Sequence, residues 1–183
     1  MRRLLVETVI TVVSGAGAMA VAGAVLTVLL AAGAALADGN CRAPHFAYRH
    51  GIVTFAEHGS TFQVRVEIAD TPEAQEVGLM CRTALDADAG MLFAFAGDVQ
   101  APFWMKDTLI PLSIAFIDSG WHIVSILDMK VEADPANPDP RARYAPPRPY
   151  RYALEVNEGF FAQHGIDQGA QVSFLPQDPA PHP

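Results

Sequence analysis

Residues 8–37 contain no charged side chain, and a regular alternation of apolar and polar positions begins only well beyond them. At Thr61-Phe62-Gln63-Val64-Arg65-Val66-Glu67-Ile68 every second residue is apolar, the period of a strand with one wet face. Residues 52–56 are its expected partner, joined through His58-Gly59-Ser60. Asp70-Thr71-Pro72-Glu73 then reads as a helix start. Thr71 can cap the first N–H groups, Pro72 suits the first helical position, and Glu73 and Glu76 lie near the positive end of the dipole. The pattern predicts a helix as far as Met80. Short apolar runs at residues 91–95, 102–105, 110–117 and 122–127, separated by Ala89-Gly90, Gly97-Asp98 and Ser119-Gly120, predict a meander of short strands.

Six prolines between residues 131 and 150 cannot donate to a ladder and hold the chain extended. A loop of about 20 residues in a small domain either serves a site or is a surface excursion, and both readings stay open. Residues 151–156 alternate again as a strand. Asn157 can cap a short helix ending at Gln163, Gly165 suits its C-terminal turn, and residues 171–175 supply a last strand. Together these elements predict an α+β domain, mainly antiparallel β, with a small curled or barrel-like sheet and two short helices. The domain is expected over residues 52–175, between a linker at 38–51 and a proline-rich, frayed tail at 176–183.

The uncharged run, preceded by Arg2 and Arg3 and closed by Ala35-Leu36-Ala37, has the form of an export signal cut before Asp38. At 30 residues it also exceeds the roughly 20 that span a bilayer, so an uncleaved anchor in the inner membrane is the alternative. Four glycines in the run weigh against a stable spanning helix. In both cases the two arginines leave the rest of the chain on the non-cytoplasmic side, periplasmic or extracellular. Asp38-Gly39-Asn40 lacks the small apolar residues needed for lipid attachment at Cys41.

The whole chain has 12 basic and 20 acidic residues, a net charge of −8. Loss of Arg2, Arg3 and Glu7 on cleavage leaves 10 and 19, a charge of −9. Such a charge opposes nucleic acid and anionic lipid as partners, so membrane contact is expected only through an uncleaved N-terminal segment. An exported domain can form a disulfide. Cys41 lies in the linker, however, and Cys81 follows an apolar turn, so a free, buried Cys81 is the favoured reading over a Cys41–Cys81 bond.

Gly78-Leu79-Met80-x-Arg82, Gly90-Met91-Leu92-Phe93-x-Phe95, Phe103-Trp104-Met105-Lys106-x-Thr108-x-Ile110-Pro111-Leu112 and Tyr152-x-Leu154-Glu155 followed by Gly159 resemble, in order and spacing, the DUF192 (UPF0127) family over roughly residues 60–175. The resemblance implies a compact β-rich fold, frequent bacterial export and no established activity. Ser113 stands where the family pattern usually has Asp, and Cys81 where it usually has an aromatic. A catalytic or metal-binding Asp at position 113 would therefore be missing here.

In a strand, Trp104 and Lys106 would share one face and Met105 the other. A lysine beside an indole can hold a carboxylate or phosphate while the ring stacks on an apolar group. With Arg82 and Thr108 nearby in the motif set, this predicts a pocket for a small anionic ligand; the plainer alternative makes Trp104 and Met105 core and Lys106 a solvated rim residue. Glu155, mid-strand between Leu154 and Val156, is the carboxylate expected to pair with Arg82 or Lys106. Met80, Met91, Met105 and Met129 offer thioethers of the kind that select Cu(I), although unbranched methionines commonly fill cores.

Enzyme signatures such as G-x-S-x-G, H-E-x-x-H, C-x-x-C and a glycine-rich phosphate loop are missing from the sequence. Cys81 could act as a thiolate with His122 or His164 as base. Asp98, Asp107, Glu132 and Glu155 could supply paired carboxylates. The six histidines form no i, i+4 pair and are given no metal role, and no cofactor is expected. The leading expectation is a non-enzymatic envelope module that binds a small ligand or an envelope protein through Arg82, Trp104, Lys106, Thr108 and Glu155. A hydrolase-type enzyme using the same cleft, with Glu155 or Asp107 as base, is the alternative, and a Cu(I) carrier a lesser one.

Overall fold

A computed structural model describes residues 41–177 except 58, 135, 136 and 140. The expected signal or anchor at residues 1–37, the hairpin residue His58 and the tail beyond 177 lie outside the described residues. Among those described, no helix is long and apolar enough to cross a membrane.

The opening hairpin forms as its alternation requires: β1 (Arg49–Glu57) pairs antiparallel with β2 (Ser60–Ala69), Val53 opposite Val64. β1 starts at Arg49, three residues before the expected strand, because Arg49 and His50 continue the register with Ile68 and Glu67. Thr71 caps α1 (Pro72–Val77) by accepting from the Ala74 N–H at 3.2 Å. The helix ends short of Met80, since Gly78 turns to a positive φ of 49°. α1 thereby carries the chain across to β3 (Ala89–Val99), which lies parallel to β2. β4 (Leu112–Ile117), β5 (Ile123–Met129), β6 (Tyr150–Asn157), the single-turn α2 (Phe160–Gln163) and β7 (Val172–Pro176) complete a seven-stranded mixed sheet of order β5-β4-β6-β3-β2-β1-β7. All its pairings but β2–β3 are antiparallel.

The sheet curls without closing. Its two edges meet at one end, where His122 bridges Gln171 and the Val172 N–H donates to the Trp121 carbonyl at 2.8 Å. Trp121 seals this seam, its ring nearly parallel to those of Tyr152, at 4.1 Å, and Phe174, at 5.7 Å. The inner face packs Val53, Phe55, Val64, Val66, Leu92, Leu154 and Val156 around Phe160 and Phe161 of α2. The outer face of β3, β4 and β6 buries Met91, Phe93, Ile114, Phe116 and Ala153 beneath α1, Leu79 and Met105. β4 is covered on both faces, so all six of its residues are buried. That is why this stretch is a continuous apolar run instead of an alternating one.

Three local expectations need correction. Residues 102–105 form no strand; Phe103 makes one isolated bridge, to Tyr144, because the chain turns back at Asp107, φ 53°. Asn157 ends β6 and donates its side-chain amide to the Leu85 and Asp86 carbonyls at 3.1 and 2.9 Å, so it is not free to cap α2, whose N-cap is Gly159. Cys81 is not a free thiol: it is bonded to Cys41, with Cα atoms 5.4 Å apart. Residues 41–48 do not hang loose, because Phe46 and Tyr48 pack on the outer-face cluster and bring Cys41 to the turn after α1.

Candidate functional site

α1 and the segment from Ala101 to Thr108 stand over the outer face of β3 and β6 without filling the space between them. They leave a cleft of about 300 Å³. Gly78 permits the close approach of the α1 turn, for a Cβ there would meet the Phe93 ring at 3.0 Å. The far wall is fixed by its backbone. Phe103 exchanges hydrogen bonds with Tyr144 at 2.8 and 2.9 Å, and the Thr108 N–H closes a turn on the Met105 carbonyl at 3.1 Å. Buried Met105 anchors that turn in the outer-face cluster, so Lys106 projects to the rim. The turn is braced from behind, where the Cys81 N–H donates to the Asp107 carbonyl at 2.8 Å. Cys81 and Asp107 both hold positive φ, a conformation that non-glycine residues adopt at a cost.

Trp104, Lys106, Thr108 and Glu155 all line this cleft, together with Leu79, Met80, Phe93, Phe95, Phe103 and Tyr150. Trp104 is 38% exposed, not core. The Lys106 ammonium lies 5.7 Å and the Arg143 guanidinium 5.0 Å from its ring, within the range of cation–π attraction. The proline-rich loop thus serves the site's wall: Arg143 covers Trp104 and Tyr144 holds Phe103. Phe103 in turn packs edge-on against Phe93, with centroids 4.9 Å apart.

Glu155 is the floor. Its strand neighbours are Met91 on β3 and Ile114 on β4, it is 5% exposed, and burial pushes its carboxyl up to about 8. Among the described residues no hydrogen bond or ion pair reaches that carboxyl. Its oxygens open onto the cleft, since no sealed polar atom is left unsatisfied. A lone carboxyl raised by desolvation in a concave apolar site marks a functional candidate.

Arg82 is not part of the cleft. It pairs with Glu67 on β2 and lines a neighbouring cleft with Arg65 and Gly90, so the expected partnership with Glu155 is replaced by one with Glu67. Asp107 is an exposed turn residue that does not line the cleft. Cys81, held in its disulfide, cannot supply a thiolate. Asp98 forms a surface pair with Arg151 at 2.9 Å. Met91, Met105 and Met129 are buried in the outer-face cluster, and only Met80 reaches the cleft. Ser113 lies on the other face of β4, accepting from the Gly159 N–H at 2.9 Å and donating to Asp128. The departure from the usual Asp therefore faces away from the cleft floor.

Sequence reasoning missed Gln75 and Tyr150. Gln75 ties β2 to β3 by donating to the Ala69 and Ala94 carbonyls at 3.3 and 2.8 Å. The Tyr150 hydroxyl donates to the Ala101 carbonyl at 2.7 Å, and burial holds it well above its usual range. A glutamine at the fourth helical position facing an apolar wall was a visible signal; Tyr150, at the end of the proline loop, was not.

Crystal structures similar to this chain include two of about 30% identity. A candidate transcription regulator from Sinorhizobium meliloti 1021 shares 30% identity at a TM-score of 0.63, over 72% of this chain and 98% of that one. A protein of unknown function from Novosphingobium aromaticivorans DSM 12444 shares 31% at 0.61, over 72% and 89%. Among curated proteins none matches. Residues 53–174, which include every side chain of the cleft, match the family described as Uncharacterized ACR: the chain belongs to DUF192.

Proposed function

We propose that this chain is an exported, non-enzymatic envelope protein whose domain binds a small ligand in the cleft between α1 and Trp104. The observation that carries the reading is Glu155, an unpaired carboxyl at the floor of a mostly apolar cleft with an indole and a lysine at its rim. The volume is at the lower end of small-molecule sites. Trp104 offers a stacking surface, and Lys106 a charge for an anionic group of the ligand. Export is supported by the N-terminal pattern and by the Cys41–Cys81 bond, which persists in oxidising compartments. Nucleic acid is opposed by the net charge of −8.

The test is a thermal-shift screen of the purified chain against anionic metabolites and sugars, repeated on Trp104→Ala and Lys106→Ala. A compound at 100 times its Kd stabilises by about 2.7 kcal/mol. Such a shift is expected in the wild type and should shrink in both variants. Equal shifts in all three would place the ligand elsewhere, and no shift with any compound, alongside an envelope protein recovered by crosslinking, would replace ligand with partner.

A second reading, a hydrolase-type enzyme, is favoured by one observation: a carboxyl poised near 8 can hold and pass a proton near neutral pH. It would make Glu155, not Asp107, the acid-base group. Turnover of a cleft-bound ester or amide, lost in Glu155→Gln, would establish it.

A further inference from the structure

The polar atoms of the cleft are sorted by what they have already given away. Tyr150 spends its hydroxyl proton on the Ala101 carbonyl at 2.7 Å, Thr108 on the Lys106 carbonyl at 3.3 Å, and Gln75 both amide protons on the Ala69 and Ala94 carbonyls. What these three present to the cleft is therefore lone pairs. Glu155 adds two more oxygens at the floor, free of any partner among the described residues. The side-chain donors, the Lys106 ammonium and the Trp104 indole N–H, are confined to the rim. A ligand that entered with its anionic end first would find the Glu155 carboxyl proton as the one side-chain donor among these acceptors, and would face a like charge once that carboxyl ionises.

Resting on the ligand-binding reading above, we infer that the ligand is a small zwitterion of the amino-acid class, its ammonium end seated on Glu155 and its carboxylate at Lys106. The apolar body lies against Phe93 and Phe103. The ammonium brings three donors to an interior dominated by acceptors, and the carboxylate meets the rim cation. Binding needs the ionised carboxylate, so Glu155 loses its proton to solvent as the ammonium arrives. Besides Arg143, which lies against the Trp104 ring at the far wall, few charged groups surround Glu155. β3 and β4 contribute none on this face, α1 contributes solvated Glu76 at the rim, and the turn after Trp104 contributes Lys106.

The test is calorimetric titration of the full chain, in mild detergent, with three matched probes: L-phenylalanine, 3-phenylpropionate and phenethylamine. L-Phenylalanine should bind tightest of the three. With Glu155 titrating near 8, its affinity should rise about tenfold or more from pH 6.5 to pH 8.5, where the amine is still charged, with close to one proton released per ligand at pH 7. Glu155→Gln, checked for an unchanged fold by circular dichroism, should lose both the affinity and the pH dependence. Tighter binding of 3-phenylpropionate, weakening as pH rises, would overturn the zwitterion while leaving the ligand cleft intact. Silence from all three probes would also overturn it, and the wider screen would then decide whether the cleft binds anything.

Discussion

Glu155 concentrates the chemistry of the molecule in one side chain. Its folded pKa lies above the ordinary value of 4.5, at about 8, so the folded state holds a proton that the unfolded state releases. The sign follows: its contribution to stability is fully present below pH 4.5 and lost as pH rises through 8. Glu155→Gln keeps the shape and removes the ionisation. The variant should therefore gain stability over the wild type between pH 5 and pH 8.5, by on the order of 3–5 kcal/mol at the upper end. Urea unfolding at the two pH values measures this, and parallel stability curves would contradict it. The residue was legible as a mid-strand carboxylate inside an apolar alternation. Its solitude was not, because Arg82 looked like a partner in sequence and turned instead to Glu67, a residue on another strand.

At the scale of elements, regular patterns were readable and reversals were not. The alternation of β2 and the cap at Thr71 depend on neighbouring residues, so the sequence displays them directly. Residues 102–105 carry a strand-like pattern too, but the positive φ of Asp107 turns them into a wall of the cleft. The bond between Cys41 and Cys81 was hidden for a similar reason, since it depends on where Phe46 and Tyr48 pack. A cross-link over 40 residues restricts the unfolded chain by about 4 kcal/mol in the loop-entropy model. Replacing both cysteines by serine should lower stability by roughly 2–4 kcal/mol, read as a shifted denaturation midpoint. Because Cys81 braces the Asp107 carbonyl, the same variant should also bind cleft ligands more weakly. An unchanged midpoint would show that the cross-link adds nothing to the fold. Gly78→Ala, forced to a positive φ against the Phe93 ring, should cost about 1–3 kcal/mol and narrow the cleft.

For the whole molecule, the proposed export rests on the N-terminal run and agrees with the Cys41–Cys81 disulfide. Mass spectrometry of the native chain should find an N-terminus at Asp38. Met1 in its place would mean a tethered protein with the same cleft. The family and the β-rich fold were legible from four short blocks, because those blocks carry the turns and buried strands that build the cleft walls. The curl of the sheet was less so: it depends on Trp121 stacking between Tyr152 and Phe174 across a seam joining distant strands.

Carbon-13 NMR of the Glu155 side-chain carboxyl over a pH series observes the floor of the proposed ligand cleft itself. In the free protein the midpoint is expected near 8; a compound that stabilises the chain should move it, downward if it brings an ammonium. A midpoint in the ordinary carboxylate range, or one that no stabilising compound shifts, would contradict the assignment of Glu155 as the floor of the site.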